Sequence, residues 1–255
     1  MWGGYYMGKR QTNKKYKIYY YDIDYKKRAT PTAIMNYFGD IAVQHSSDAG
    51  MNLDYMNENK IAWVLYKWDI DIERYPIMDE EIEVSTTAYS FRKFYGYRKY
   101  TIKDSAGKTI ITANSVWFLI NTEKRRLMRI PQIMYDAFGI TEDDNTELKI
   151  KDIDELTGIS SEKDFYVRYS DIDTNMHVNN VKYMAWILET VPFSIIKEYT
   201  LKNIIMTYEK ETTYGEMIKV QTEIIEDGNQ IICRHKIMDK EGKKLNIANT
   251  VWIKE

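Results

Sequence analysis

The sequence has one cysteine, no long apolar run and no excess of charge of either sign. The single cysteine, Cys233, excludes an internal disulfide framework and a metal site built from several cysteines. The net charge of −2 argues against a nucleic-acid-binding protein, which normally carries a basic excess. The longest apolar runs, such as residues 116–120, are far shorter than the roughly 18 residues of a membrane-spanning helix.

The chain nevertheless has enough apolar material for a sizeable core. It contains 255 residues, of which 44% are hydrophobic and 29% charged, which suits one large domain or two of ordinary size. The first ten residues contain no apolar stretch of the kind found in a secretory signal. The sequence contains neither a glycine-rich phosphate loop nor a His/Cys metal-ligand spacing. We therefore expect a cytoplasmic protein without a metal or cofactor.

An approximate internal repeat is the most informative feature of the sequence. Residues 113–117, Ala-Asn-Ser-Val-Trp, return as residues 248–252, Ala-Asn-Thr-Val-Trp. Near the start of each half, residues 20–24 (Tyr-Tyr-Asp-Ile-Asp) correspond to residues 169–173 (Tyr-Ser-Asp-Ile-Asp). Matches that keep one order indicate a duplication. We predict an N-terminal domain at 1–133, a linker at 134–162 with a polar acidic stretch, and a C-terminal domain at 163–255.

Each half shows the same coarse order of elements: an extended segment, a helix and then several strands. Thr30-Pro31 is a typical helix start in the first half, and Asn179 or Asn180 can cap a helix in the second. The later segments alternate apolar and polar residues as strands do. One helix followed by a curved antiparallel sheet, twice, predicts an α+β protein with a tandem hot-dog fold, in which each sheet wraps a central helix.

The two halves differ in the residues that could carry chemistry. After the shared Asp-Ile-Asp, the second half has Asn175 and His177, whereas residues 25–30 of the first half contain neither Asn nor His. An offset of 136 residues also places Tyr75 opposite Glu211. The candidate catalytic residues are therefore Asp173, Asn175, His177 and Glu211.

Three interpretations of the segment from Asp171 to Asn175 compete. The Asp-x-Asp-x-Asn spacing resembles the opening of an EF-hand calcium loop, but Met176 and Lys182 stand where that loop needs Gly and Glu. A polar turn that caps the next helix is the plain alternative. The catalytic interpretation is favoured by His177, since imidazole exchanges protons near neutral pH.

The helix that begins directly after this segment offers a second catalytic element. Free backbone N–H groups at a helix start can polarise a carbonyl and stabilise a developing oxyanion. The candidate donors are the N–H groups of Asn179, Asn180 and Val181.

Residues 168–189, with Asp-x-Asn-x-His-Val-Asn-Asn at their centre, resemble the signature of the acyl-ACP thioesterases (ACP, acyl carrier protein). This resemblance implies a double hot-dog enzyme that hydrolyses fatty acyl-ACP to a free fatty acid and ACP. The family's Asp, Asn and His fall on Asp173, Asn175 and His177, and its acidic residue falls on Glu211. Plant members commonly have Cys directly after that acid. Here Thr212 stands there, which favours water activation over a thiol nucleophile.

The resemblance also implies where the substrate binds. The acyl chain is expected in the N-terminal domain, between its helix and sheet, and plain core packing is the alternative for each residue of the set. The candidate lining residues are Ile34, Phe38, Ile41, Trp68 and Ile70. Because ACP is acidic, a basic docking surface is expected, although basic side chains are often merely solvated. The candidate docking residues are Lys124, Arg125, Arg126 and Arg129.

Other enzymes with this fold are the nearest rival predictions. An acyl-CoA thioesterase or a dehydratase with a His and an acid would need similar residues, and a non-catalytic acyl-binding module is a further alternative. The sequence decides neither the chain-length preference nor which of Glu211 and His177 accepts the proton. Two fold units within one chain complete the predicted site, and a homodimer of such chains is compatible with it.

Overall fold

The computed structural model describes residues 9–255 and divides them into two compact units. Unit 1 comprises residues 9–66 and 74–149, and unit 2 comprises residues 67–73 and 150–255. The first eight residues of the predicted N-terminal domain lie outside the described residues. Among residues 9–255, no helix combines the length and the apolar character that a membrane span requires.

Unit 1 contains one long helix and an antiparallel sheet. Its elements are β1 (Gln11–Lys17), α1 (Pro31–Asp48), α2 (Leu53–Glu58), β2 (Ile61–Ile72), β3 (Glu81–Arg92), β4 (Tyr95–Lys103), β5 (Thr109–Asn121), β6 (Arg126–Leu127) and α3 (Gln132–Phe138). The strand order is β1-β3-β4-β5-β2, with β6 paired to β5. Helix α1 packs on β1 and β3.

Helix α1 begins and packs as its sequence dictates. The hydroxyl of Thr30 accepts a hydrogen bond from the backbone N–H of Ala33 at 3.1 Å, and Pro31 occupies the first helical position. The apolar residues recur at helical spacing, so one face of the helix is buried. That face comprises Ala33, Ile34, Met35, Phe38, Ile41 and His45.

Unit 2 repeats this architecture. Its elements are β7 (Ser161–Tyr166), α4 (Asn180–Thr190), α5 (Phe193–Glu198), β8 (Tyr199–Tyr208), β9 (Met217–Asp227), β10 (Gln230–Asp239) and β11 (Lys244–Lys254). The order β7-β9-β10-β11-β8 matches the order in unit 1 strand for strand. Helix α4 packs on β7 and β9 as α1 packs on β1 and β3. The α+β class and the duplication are therefore confirmed.

The hairpin turns β4–β5 and β10–β11 have the same hydrogen bonds and backbone conformation. In the β4–β5 turn, the carboxylate of Asp104 accepts the N–H groups of residues 106 and 108, and Gly107 has a φ of +80°. In the β10–β11 turn, Asp239 binds the N–H groups of residues 241 and 243, and Gly242 has a φ of +79°. Both turns need a glycine because the left-handed backbone is strained for other residues.

The domain boundaries differ from those of the sequence in two places. The predicted linker, 134–162, begins inside α3, where Met134 and Phe138 are buried in the core of unit 1. Residues 67–73, which the sequence assigns to the first domain, belong to unit 2, since residues 67–71 of β2 pair with β8. Both differences arise because tertiary packing, which a single sequence does not show, decides where these segments belong.

Candidate active site

The segment before α4 is anchored by a buried carboxylate. Asp171 ends a short 3-10 helix, Tyr169–Asp171, and its side chain is fully buried. It accepts two hydrogen bonds from the guanidinium of Arg168, and the ammonium of Lys182 lies 3.8 Å away. Burial alone would raise the pKa of Asp171, but the hydrogen bonds and charge of Arg168 hold it below its usual value. Asp171 is therefore a structural anion that fixes the start of the site.

The carboxylate of Asp173 organises the turn that carries the next two candidate residues. Its Oδ1 accepts the backbone N–H of Asn175 at 2.8 Å and, more weakly, that of His177 at 3.4 Å. The backbone N–H of Asp173 in turn donates to the carbonyl of His177 at 2.8 Å. Met176 at the tip has a φ of +64° and a largely exposed side chain. The carboxylate of Asp173 thus binds backbone N–H groups and orients this loop.

The folded chain brings His177 and Glu211 together. Nε2 of His177 lies 3.3 Å from Oε1 of Glu211, with the two side chains 36% and 46% exposed. Glu211 lies in an irregular segment between β8 and β9. Such a contact allows an imidazole N–H to donate to a carboxylate while both groups stay accessible to water and substrate. A cleft of about 250 Å³ lies beside it, lined in part by Glu211, Thr212 and Thr213.

Equivalent hydrogen bonds in the two units identify the counterpart of Glu211. In unit 2 the N–H of Val178 donates to the carbonyl of Thr212 at 3.0 Å. In unit 1 the N–H of Ala29 donates to the carbonyl of Pro76 at 2.8 Å. The residues before these carbonyls, Glu211 and Tyr75, therefore occupy equivalent places, as the sequence offset predicts.

Of the three predicted oxyanion donors, only one keeps a free N–H group in the described part of the chain. The N–H of Asn179 donates to the carbonyl of Asp171 at 2.8 Å, and the N–H of Val181 donates to the side chain of Asn179 at 2.9 Å. The predictions for Asn179 and Val181 are therefore wrong, because the helix cap consumes both donors. Within residues 9–255 the N–H of Asn180 donates to no protein acceptor, which leaves it as the candidate donor.

Asn175 is exposed on the same loop. Its backbone is fixed by Asp173, whereas its side-chain amide makes no hydrogen bond to any other residue in the range 9–255. The amide is thus positioned to bind water or substrate rather than to support the fold.

The cysteine of the chain and the threonine that follows Glu211 are both buried. Cys233 lies in β10 with a fully buried side chain, and burial raises the pKa of its thiol to about 12. Thr212, next to Glu211, is 8% exposed. Activation of water therefore fits the site better than attack by either side chain.

The other two histidines are held in the cores of their units. His235 lies between the hydroxyls of Thr222 and Thr250 at 2.8 and 2.9 Å, and burial lowers its pKa to about 3. His45 bonds to the guanidinium of Arg98 at 2.6 Å and the carbonyl of Arg10 at 3.0 Å, and burial with the charge of Arg98 lowers its pKa to about 4. Both are neutral structural groups at neutral pH.

The candidate acyl-binding residues are all buried, but they do not lie in one unit. Ile34, Phe38 and Ile41 lie on the buried face of α1 in unit 1. Trp68 and Ile70 lie in the part of β2 that pairs with β8 in unit 2. Placing the whole set in the N-terminal half is therefore wrong for these two, because β2 passes from one unit to the other.

The candidate docking residues are all exposed. Lys124 and Arg125 lie in the turn between β5 and β6, Arg126 begins β6, and Arg129 follows it. Arg125 adopts the left-handed backbone with a φ of +47°.

Within residues 9–255, no group of three or more His, Cys, Asp or Glu side chains is arranged to hold a metal ion.

Tyr183 is a site residue that sequence reasoning missed. The sequence suggests an apolar face of Val181, Met184, Ala185 and Leu188 on α4, but the residues buried are Tyr183, Met184, Trp186, Ile187 and Thr190. Its ring packs edge-on against Tyr208, whose hydroxyl donates to the carbonyl of Asn180 at 3.0 Å. The counterpart of Tyr183 in the first half, Ile34, is aliphatic, and that difference was the available signal.

Two family models match the chain. The acyl-ACP thioesterase N-terminal domain matches residues 9–138, and the acyl-ACP thioesterase C-terminal domain matches residues 154–254. The chain therefore belongs to the acyl-ACP thioesterase family. A chloroplastic acyl-[acyl-carrier-protein] hydrolase of Cuphea viscosissima is 28% identical over 94% of this chain and 61% of its own length. The chain spans 60 to 63% of the length of the first curated relatives it matches.

Solved structures confirm the tandem hot-dog fold. A candidate oleoyl thioesterase of Lactobacillus plantarum superposes with a TM-score of 0.92 at 22% identity, covering 98% of both chains. The 12:0-ACP thioesterase of Umbellularia californica gives a TM-score of 0.83 at 23% identity, covering 96% of this chain and 94% of its own. At these identities the similarity establishes the fold but not the substrate.

Proposed function

We propose that this protein hydrolyses the thioester of fatty acyl-ACP to a free fatty acid and the ACP thiol. Membership of the acyl-ACP thioesterase family supports the substrate class. The single structural observation that carries the proposal is the 3.3 Å contact between His177 and Glu211 on an accessible face. An acid and an imidazole in contact provide a proton acceptor that works near neutral pH.

The proposed reaction begins with activation of a water molecule. Glu211 and His177 act together to remove a proton from the water, whose oxygen attacks the carbonyl carbon of the thioester. The C–S bond then breaks, and the thiolate leaves and takes up the proton. General-base catalysis of this kind contributes roughly 10²–10⁴-fold to the rate. Either Glu211 or His177 serves as the first acceptor, because the two groups are in contact at 3.3 Å and a proton can pass between them.

The start of α4 supplies the proposed oxyanion site. The N–H of Asn180 stands at the positive end of the helix, where negative charge on the thioester oxygen is stabilised. One such donor is worth about 10²–10³-fold in turnover. Asn175 holds the attacking water or the thioester, and Asp173 acts through the loop that it organises.

The proposed partners are ACP and its acyl chain. Ile34, Phe38 and Ile41 are the candidates for lining the acyl site in unit 1, and the exposed bases from Lys124 to Arg129 are the candidates for docking the acidic carrier. The cytoplasmic location and a homodimer remain predictions.

A thiol-release assay tests this proposal against its rivals. The purified chain is offered palmitoyl-ACP, palmitoyl-CoA and a β-hydroxyacyl-ACP, with free thiol and products followed separately. We expect thiol release that is fastest from acyl-ACP. Faster release from acyl-CoA would favour an acyl-CoA thioesterase, and loss of water from the β-hydroxyacyl substrate without thiol release would indicate a dehydratase. Tight binding without turnover would indicate an acyl-binding module.

A further inference from the structure

The phenol of Tyr208 connects two parts of the proposed site. Tyr208 is the last residue of β8, and Glu211 follows in the irregular segment directly after this strand. The hydroxyl of Tyr208 donates a hydrogen bond at 3.0 Å to the backbone carbonyl of Asn180, the first residue of α4. One side chain therefore joins the end of the strand that leads to the acid with the helix start that carries the candidate oxyanion donor.

Tyr208 is itself held in place by its neighbours. Its side chain is buried, and its ring packs edge-on against Tyr183 with a ring-centroid separation of 5.5 Å. Directly after it, the N–H groups of Glu209 and Lys210 donate to the carbonyl of Leu245 at 2.9 and 3.2 Å. Burial raises the pKa of Tyr208, so its hydroxyl stays protonated and acts as a donor. The donor is thus presented from a fixed position, as accurate placement of a neighbouring group requires.

The hydrogen bond acts on the first turn of α4. The carbonyl of Asn180 belongs to the same peptide unit as the N–H of Val181, and that N–H donates to the side chain of Asn179 at 2.9 Å. This planar peptide unit is therefore fixed at its oxygen and at its nitrogen. Because the carbonyl and the N–H of Asn180 are attached to one Cα, fixing this peptide unit also restricts the direction of the Asn180 N–H.

The first half of the chain lacks both the hydroxyl and the N–H. Ile72, the last residue of β2, is the counterpart of Tyr208, since it lies as far before the position of the acid. Pro31 occupies the first position of α1, where α4 has Asn180, and proline has no N–H. The hydroxyl, the N–H and the acid therefore occur together in the second half, and none of them occurs at the equivalent place in the first.

We propose that Tyr208 is a positioning residue that orients the first turn of α4, so that the N–H of Asn180 meets the developing oxyanion of the thioester. This inference rests on the proposed hydrolysis. An oxyanion donor is worth about 10²–10³-fold in turnover, and a small misplacement of it forfeits part of that factor.

The variant Tyr208→Phe removes the hydroxyl and keeps the ring. We expect kcat for acyl-ACP hydrolysis to fall by about tenfold with KM within twofold of wild type, because the lost interaction is made only in the transition state. An unchanged kcat, or a loss that appears only in KM, would overturn the inference.

The variant Asn180→Pro tests whether the effect passes through the N–H. Proline removes this donor and suits the first position of a helix, as Pro31 does in α1. We expect kcat to fall by about 100-fold, and Tyr208→Phe to cause no further loss in this background. Asn180→Ala keeps the N–H and should lose at least about tenfold less activity than Asn180→Pro. A tenfold effect of Tyr208→Phe in both backgrounds, or equal losses in the two Asn180 variants, would contradict the proposal.

The matched control is Thr190→Val, at the other end of α4. Its buried hydroxyl donates to the carbonyl of Ile187 at 2.7 Å and contacts the hydroxyl of Thr222 at 2.6 Å. The control therefore also removes a hydroxyl that binds a carbonyl of the same helix. We expect a lower melting temperature and an unchanged kcat. A tenfold loss of kcat here as well would assign the effect to general loosening of the helix and overturn the proposal.

Amide hydrogen exchange at Val181 tests the hydrogen bond without any activity. We expect exchange at least about tenfold faster in Tyr208→Phe than in wild type and unchanged in Thr190→Val. If the wild-type protein releases no thiol from acyl-ACP, the proposed function is wrong, and the exchange rate still decides whether Tyr208 holds the first turn of α4. An unchanged rate in Tyr208→Phe would refute that.

Discussion

At the residue scale, the ionisable side chains of the site that face solvent are available for chemistry, and the buried one serves the fold. Asp171 is fully buried and paired with Arg168, whereas Glu211 and His177 keep 46% and 36% of their side chains exposed. Asp173 lies between these cases, since its carboxylate caps a loop. The segment from Asp171 to His177 therefore carries an anchoring, an orienting and a reactive side chain within seven residues.

Buried His235 makes the stability of the protein depend on pH. Its folded-state pKa of about 3 lies below the ordinary value near 6.5, so the unfolded chain binds a proton in this window and the folded chain does not. Stability is therefore lost as the pH falls from about 6.5 towards 3, by up to about 1.4 kcal/mol per pH unit. Melting temperatures of wild type and His235→Gln between pH 7 and pH 4 check this. Equal slopes in the two proteins would contradict it.

The sequence shows which side chains differ between the two halves, but it does not show which backbone N–H groups are left without a partner. Asn175, His177 and Glu211 are visible as differences between the two halves, because the sequence gives the identity of each side chain directly. The use of the N–H groups of Asn179 and Val181 by the cap depends on local backbone geometry, and residue types alone do not show it.

At the element scale, the start of α4 sets the one candidate oxyanion donor. The side chain of Asn179 caps the helix by accepting the N–H of Val181. Asn179→Ala should cost about 1 kcal/mol of stability. It should also lower kcat by roughly tenfold, because Asn180 is then less firmly placed. Denaturant unfolding and steady-state kinetics measure the two effects.

Thr30→Ala is the matched control, since Thr30 caps α1 at the equivalent place in the other unit. It should cost a similar amount of stability and leave kcat unchanged. A kcat loss of the same size in both variants would show that the cap acts through global stability rather than through the site.

Long elements with strong periodicity were predictable, and short or shared ones were not. Helices α1 and α4 begin where Thr30 and Asn179 indicate, and both Asp-x-x-Gly turns connect strands. The predicted linker begins inside α3, because seven residues carry too little pattern to identify a helix without its packing partners. The burial of Met134 and Phe138 becomes evident only in the folded unit.

At the scale of the whole molecule, a balanced total charge coexists with a local basic surface. The net charge is −2, yet Arg125 and Arg126 stand exposed on the β5–β6 hairpin. Arg125→Glu with Arg126→Glu should raise KM for acyl-ACP about tenfold at low salt and leave kcat unchanged, since exposed charges steer association. Lys149→Glu with Lys151→Glu makes the same change in net charge at exposed positions elsewhere. Equal effects of the two double variants would contradict a specific docking surface.

The duplicated architecture was predictable because repeats leave matches in order along the chain, and both units have the same strand order. The assignment of residues 67–73 to unit 2 was not predictable, because the pairing of a strand with its neighbours depends on the tertiary fold. Trp68 and Ile70 belong to unit 2 for this reason, and the alternation of apolar and polar residues in β2 does not show it.

The most direct measurement is a double-variant cycle on His177 and Glu211 with acyl-ACP as substrate. Each single replacement by alanine should lower turnover at least about a hundredfold while unfolding stays within about 0.5 kcal/mol of wild type, because both side chains are partly exposed. The double variant should be no slower than the slower single variant, since the two groups act as one unit. Near-normal turnover in either single variant, or losses that multiply in the double variant, would contradict the account.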